Sequence, residues 1–146
     1  MNQINEIFSN KSLHEKVSVF LSAYGISGLE QALQLYTDLQ QEYICKTKTS
    51  ITRLKISDIY YLEVHQHNIS VHTKHGIYHK YGTLSNELNF LSKYNFIKCS
   101  QNYVVSLSKI QSITGNQLTL NNNETLHLSR SCATTVMMAF HNSKSL

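Results

Sequence analysis

The sequence predicts a mainly β protein of the α+β class, preceded by an N-terminal helical hairpin. From about Ile44 onward, short runs of alternating apolar and polar residues are bounded by polar turns, which is typical of half-buried β-strands. Before that point, apolar residues recur at helical spacing instead. We therefore expect two parts, a hairpin over residues 1–43 and a β-rich domain over residues 44–143.

The N-terminal segment contains two stretches with helix-start signals. Capping-box patterns begin at Ser12 and at Ser27, and Gly25 is expected to end the first helix between them. Residues 1–11 show no periodicity, so we expect them to be frayed. Two helices with one apolar stripe each do not fold alone, so we interpret the hairpin as an element for dimerisation or partner docking. The stripes are Leu13, Val17, Phe20, Leu21 and Tyr24, followed by Leu29, Ala32, Leu33, Tyr36, Leu39 and Tyr43.

Nine later segments are predicted as strands, and two as helices. Turn signals around residues 67–68 and 74–76 indicate hairpins. Thr83 is expected to cap a helix with Leu84, Leu88 and Leu91 on one face. The last helix is marked by Ala133, Val136, Met137 and Phe140. The predicted strands are 43–47, 50–55, 59–65, 68–73, 76–81, 96–99, 110–114, 117–120 and 125–128.

A polar stretch between two apolar segments marks a candidate recognition surface. Phe96 and Ile97 lead into the polar or thiol residues 98–102, and an apolar segment resumes at Tyr103. This order predicts a strand, an exposed polar crossing and a return to the core. Hydrogen-bonding groups held on a loop by buried flanks are what a recognition surface requires.

Arg130 is the most informative charge in the sequence. It opens the last predicted helix, where the helix macrodipole disfavours a cation by roughly a few tenths of a kcal/mol. A cation placed against this field indicates an external anion or a base edge as its partner. The planar guanidinium reads guanine O6 and N7 bidentately, and the first amides of a helix can hold a phosphate. A solvated surface arginine is the alternative interpretation.

Composition narrows the class of protein. A length of 146 residues suits one domain with its own core, or a small domain with an appendage, and the net charge of +4 mildly favours a polyanionic partner. Apolar runs are too short for a membrane span and no secretory signal is present, so we expect a cytoplasmic protein. Cys45, Cys99 and Cys132 lack CxxC spacing, which argues for reduced thiols.

The motif inventory argues against enzymes. The sequence contains no GxSxG, Gly-rich phosphate loop or HExxH, so we expect no enzymatic activity, no small-molecule substrate and no cofactor. Five histidines within residues 65–79 raise a metal-binding alternative. No carboxylate or thiol joins them at a tight ligand spacing, so we expect no metal ligands there.

Three segments in register resemble the LytTR (LytR-type) DNA-binding domain of bacterial transcription regulators. They are residues 58–63 (DIYYLE), 96–113 and 126–130 (LHLSR), and the resemblance covers about residues 44–143. It implies an elongated β architecture with short flanking helices. It also implies that loops and the start of the last helix enter successive major grooves of double-stranded DNA.

The resemblance also implies where DNA contacts lie. The turn 65–68 aligns with the family's first base-contacting loop, so His67 is expected to reach the major groove. Gln101 and Asn102 offer the amide geometry that pairs with adenine, although Asn102 equally suits a turn. In place of Ser100, Gln101 and Asn102, family members usually carry His, then Arg, Lys or Asn, then Ser before the aromatic residue. The bases that family members contact with this loop therefore cannot be assigned to this chain. The expected DNA-binding residues are His67, Asn68, Lys98, Ser100, Gln101, Asn102, Ser129, Arg130 and Ser131.

These observations predict a sequence-specific, DNA-binding transcription regulator that acts as a homodimer. The residues before the domain are too few for the receiver domain that usually precedes it, so we expect a regulator without one. One alternative is a LytTR-like interaction module that antagonises a full-length regulator by heterodimerisation, and another is a metal-responsive β protein. Cys99, two residues from Gln101, is a candidate redox-sensitive thiol, with an inert core thiol as the alternative.

Overall fold

The computed structural model describes residues 2–143, apart from the side chains of Asn2 and Leu39. Two compact units divide at Asp38 and Leu39, slightly earlier than the boundary expected at residue 43. We call them the N-terminal unit and the C-terminal unit. Within the described residues, no helix is long and apolar enough to cross a membrane.

The N-terminal unit is helical, with α1 at Asn2–Ser9 and α2 at Lys11–Leu39. The prediction of frayed residues is therefore wrong for α1. The side-chain oxygen of Asn10 accepts from the Leu13 amide at 3.0 Å, so Asn10 caps α2 in place of the expected Ser12. Gly25, at φ 72° and ψ −177°, interrupts the helical backbone at the predicted stop.

Within residues 39–143, the C-terminal unit contains ten strands, two α-helices and three short 3-10 helices, and all nine predicted strands are present to within one residue at either end. The tenth strand, β7, is the segment that we expected to return to the core at Tyr103. Tyr43, placed on a helical stripe as well as in a strand, lies in β1. The elements are β1 Glu42–Lys46, β2 Ile51–Lys55, β3 Ile59–His65, β4 Asn68–Thr73, β5 Gly76–Tyr81, α3 Leu84–Leu91, β6 Phe96–Ser100, β7 Tyr103–Ser106, β8 Ile110–Thr114, β9 Gln117–Leu120, β10 Thr125–His127 and α4 Arg130–Asn142.

The strands form three antiparallel sheets. The largest has the order β5-β4-β3-β7-β6, and two smaller sheets have the orders β10-β9-β8 and β1-β2. Sequence neighbours pair through tight turns, as the alternating pattern and turn residues predict. This α+β architecture confirms the predicted fold class.

Two apolar cores lie on opposite faces of the five-stranded sheet. Successive side chains of a strand point to opposite faces, so the neighbouring residues Val104 and Val105, both 0% exposed, enter different cores. The first core contains Leu62 of β3, whereas Tyr61 contributes to the second. The centre of the sheet is thus covered on both sides, which holds the turns at its ends in fixed positions.

The two helices cover these cores. The hydroxyl of Thr83 accepts from the Asn86 amide at 3.3 Å and caps α3, as predicted. In α4, Val136 is fully buried, while Ala133 and Phe140 are partly buried against the second core. Met137 is 50% exposed, so its predicted place in the core is wrong. Because Ala133, Val136 and Phe140 form the buried face of α4, the Met137 side chain points away from the core.

Candidate nucleic-acid interface

The first predicted recognition element is the turn between β3 and β4. His65 pairs with Asn68, and Gln66 and His67 form a two-residue turn between them, with Gln66 at φ 58°. All four residues are exposed. A two-residue turn clamped by two paired strands presents its polar side chains with little conformational freedom.

The second element is the turn between β6 and β7, and its exposed part is shorter than the predicted polar stretch of residues 98–102. Gln101 and Asn102 are exposed, but Ser100 is 6% exposed, so its expected exposure is wrong, and Cys99, 0% exposed, is the core thiol of the alternative interpretation. The pairing register shifts between Lys98 and Ser100, and this irregularity turns two successive side chains inward. Lys98 remains exposed on β6.

These two turns lie side by side at one end of the five-stranded sheet. The Val64 amide of β3 donates to the Asn102 carbonyl at 2.9 Å, because β3 and β7 are neighbours in the sheet. The carbonyl of His67 in the first turn accepts from the Gly82 amide at 2.9 Å. The turn at residues 66–67 and the turn at residues 101–102 thus belong to one surface.

The start of α4 joins the same surface. The Ser129 amide donates to the Cys99 carbonyl at 2.9 Å, so Arg130 follows a residue that is bonded to β6. Ser129 and Ser131 place their hydroxyl oxygens 3.3 Å apart, and Arg130 and Ser131 are exposed. We call the turn 65–68, the turn 101–102, Lys98 and residues 129–131 together the polar end.

Two lysines outside the polar end form ion pairs with carboxylates. Lys74 lies 3.3 Å from Asp58, and Lys80 lies 2.7 Å from Glu87. Within residues 2–143, neither Arg130 nor Lys98 forms an ion pair. The cations of the polar end are therefore available to an external anion.

The histidines of residues 65–79 do not converge on one point. His72 lies 2.8 Å from Glu63 and stacks on the Tyr61 ring, while His75 lies 3.5 Å from Asp58. In the part of the chain that the structure describes, no three histidine, cysteine or acidic residues are placed to hold a metal ion. These contacts are those of histidines on the surface of a sheet.

Cys99 is a buried residue next to the polar end. Its burial, and to a smaller degree the nearby Cys132, raise the pKa of the Cys99 thiol to about 12. A buried, protonated thiol is a poor nucleophile, so the geometry does not favour the redox role considered for Cys99. Its carbonyl, which accepts from Ser129, positions the start of α4.

A cleft of about 410 Å³ beside Arg130 was missed at the level of sequence. It is lined by Gly115, Asn116, His127, Leu128, Arg130 and Ala133. The alternation of Leu126, His127 and Leu128, with only His127 exposed, was the available signal for an outward-facing histidine. The second wall of the cleft, the turn between β8 and β9, carries no such signal.

Comparison with known proteins identifies this architecture. The family model of the LytTr DNA-binding domain matches residues 49–141. Among solved structures, the chain is similar to the LytTr DNA-binding domain of a protein from Bacillus cereus, with a TM-score of 0.60 and 22% identity, over 67% of this chain and 94% of that chain. No curated protein matches.

The matched region covers most of the C-terminal unit. The chain therefore belongs to the LytTr DNA-binding domain family. That family is one of DNA-binding domains and not of enzymes, which supports a DNA-binding regulator.

Proposed function

We propose that the protein is a transcription regulator that binds double-stranded DNA sequence-specifically through the polar end. The observation that carries this proposal is the pair of backbone hydrogen bonds, Val64 to Asn102 and Ser129 to Cys99, each 2.9 Å long. They bring three exposed polar elements together at the polar end. Base edges in the major groove are read by such protruding groups, while neighbouring contacts hold phosphates.

Each side chain has a role that suits its chemistry. Arg130 is assigned to a guanine, because its fork matches O6 and N7, and Gln101 to an adenine, because its amide matches N6 and N7. His67 reaches the groove from the first turn. Lys98 is assigned to a phosphate. Asn68, Asn102, Ser129 and Ser131 supply further hydrogen bonds, whereas the buried Ser100 makes no contact.

Selection of bound sequences from a random duplex pool tests sequence-specific binding. We expect enrichment of one short motif, and an observed affinity that falls with salt with a log-log slope of about −0.9 for each phosphate neutralised. An unenriched pool with a flat salt response would reject DNA binding by this chain. Because bacterial DNA is the proposed partner, we place the protein in the cytoplasm.

We also propose that the N-terminal unit joins two copies of the chain. Its helices expose many large apolar side chains, among them Val19 at 70% and Tyr36 at 66%, which is an unfavourable state for a lone helix in water. A two-fold dimer would bury identical stripes against each other and would pair two DNA half-sites. The exposed set is Ile4, Ile7, Phe8, Leu13, Val19, Tyr24, Ile26, Leu33 and Tyr36.

Light scattering at micromolar concentration tests the dimer. We expect the unmodified protein to be dimeric and the double variant Leu33→Ser, Tyr36→Ser to be monomeric with its C-terminal unit folded. Ile51→Ser, which removes a 67% exposed side chain from β2, is the matched control and should remain dimeric. A monomeric unmodified protein would contradict the proposal.

The same exposed stripes suit the alternative function, an antagonist that forms mixed dimers with a full-length regulator. The duplex selection separates the two functions. A folded, dimeric protein that enriches no sequence but lowers the DNA affinity of a second LytTR regulator would favour the antagonist.

A further inference from the structure

The cleft beside Arg130 continues the polar end along the surface of the C-terminal unit. Its walls come from the turn between β8 and β9, the end of β10 and the first turns of α4. The Leu128 amide donates to the Asn116 carbonyl at 2.8 Å, which fixes the two β elements relative to each other. Arg130 belongs both to this cleft and to the polar end.

The charges that line the cleft are all cationic or potentially cationic. His127 and Arg130 are the ionisable side chains among its lining residues, and no carboxylate lines it. Neither side chain forms an ion pair within residues 2–143. A lining with cationic or potentially cationic groups and no carboxylate favours an anion as its ligand.

We propose that this cleft receives a backbone phosphate of the bound DNA and that His127 contacts it, while the Arg130 guanidinium remains assigned to its base. The inference rests on the proposed function, because it extends the footprint of the same duplex beyond the three predicted elements. Asn116, on an exposed turn, also lines the cleft, and its side-chain amide is a hydrogen-bond donor. Leu128 and Ala133 add apolar lining.

This assignment gives His127 a role in affinity and not in base choice. Phosphate contacts fix the register and orientation of a protein on the duplex but carry no sequence information directly.

The test uses the full chain and duplexes selected with the unmodified protein. We expect His127→Gln to weaken binding roughly two- to five-fold, with an unchanged selected motif. His141→Gln, at an exposed position near the far end of α4, is the matched control and should match the unmodified protein.

A second arm locates the phosphate. Duplexes carrying one neutral methylphosphonate at successive positions are titrated against both proteins, and one position should weaken the unmodified protein without weakening His127→Gln further. If His127→Gln and His141→Gln bind alike, the inference is overturned while DNA binding stands. If the unmodified protein binds no duplex, the proposed function itself fails.

A third arm separates DNA phosphate from free anion. Inorganic phosphate is titrated without DNA while the His127 ring resonances are followed. Saturation at submillimolar concentration, together with DNA binding that His127→Gln leaves unchanged, would assign the cleft to a free anion and overturn the inference. Weak, unsaturated shifts are expected, because a single diester contact is strong only when the remaining duplex contacts hold it in place.

Discussion

Two polar regions of the C-terminal unit place their cations in opposite situations. In the first, the Lys80 ammonium lies 2.7 Å from the Glu87 carboxylate and 4.5 Å from the centre of the Tyr43 ring, and the two charged side chains are 19% and 13% exposed. In the second, the polar end, the Arg130 side chain is exposed and unpaired within residues 2–143. The first region pairs its charge inside the fold, whereas the second leaves its charge exposed.

This difference explains why net charge is a weak guide to function. The surplus of +4 counts paired and unpaired cations alike. The Lys80 ammonium of β5 donates a hydrogen bond to the Glu87 carboxylate of α3, and this carboxylate largely cancels the electrostatic field of the ammonium. Net charge therefore does not tell which cations lie at the polar end, where Lys98 and Arg130 have no carboxylate partner within residues 2–143.

The largest expected effect is on stability and arises in the first region. Lys80→Met should lower the free energy of unfolding by about 2–4 kcal/mol, because Glu87 would keep its mostly buried charge with only the Tyr43 hydroxyl as donor. Urea denaturation measures the change. Lys46→Met, at an exposed position of β1, is the control and should stay within about 0.5 kcal/mol. Equal losses in the two variants would remove the contrast between the regions.

The next largest effect is a change of stability with pH, and it tests whether the Cys99 side chain belongs to the buried core and not to the binding surface. Burial raises its pKa to about 12 in the folded protein, above the ordinary value of about 8.5 for a thiol. The resulting stabilisation of the folded state is fully present below the ordinary thiol pKa and is lost as the pH rises towards the pKa that Cys99 has in the folded protein. We expect Cys99 to contribute a loss of about 1–2 kcal/mol in unfolding free energy between about pH 7.5 and 10.

Denaturation of the unmodified protein and of Cys99→Ala at both pH values isolates this contribution. The variant should be less stable at neutral pH but should lose less on going to alkaline pH. Cys45, whose pKa burial raises to about 11, is present in both proteins and so cancels from the comparison. An alkaline loss that is the same in both would show that Cys99 is not its source.

The smallest effect concerns a single phosphate contact. Lys98→Ala should weaken DNA binding by less than about 1 kcal/mol and reduce the salt slope by about one unit, since one released counterion is lost. Lys55→Ala removes the same charge from an exposed position of β2, away from the polar end, and serves as the control. Indistinguishable slopes for the two variants would place Lys98 outside the interface.

Much of the fold could be predicted because most strands are covered on one face only. Their alternation appears directly in the sequence, as in β4, where Ile69 and Val71 are buried between more exposed neighbours. β7 lacked that signal because Val104 and Val105 enter different cores. α1 was missed for another reason, since its eight residues are too few to show several turns of apolar periodicity.

The candidate site could be predicted residue by residue but not as a surface. Gln101 and Arg130 stand out by their chemistry and by their places after strands. Their proximity depends on hydrogen bonds between residues that are distant in sequence, such as Ser129 to Cys99. The burial of Ser100 depends on a register shift in β6, which composition does not reveal.

The central claim is that Arg130 is unpaired because it reads a base. The most direct measurement is duplex selection with the unmodified protein, with Arg130→Ala and with Arg53→Ala, which removes the chain's other arginine from an exposed site in β2. We predict that Arg130→Ala loses about 1–3 kcal/mol of specific affinity and relaxes the preference at one base pair, while Arg53→Ala keeps the full motif. An identical motif and affinity for the unmodified protein and both variants would contradict the account.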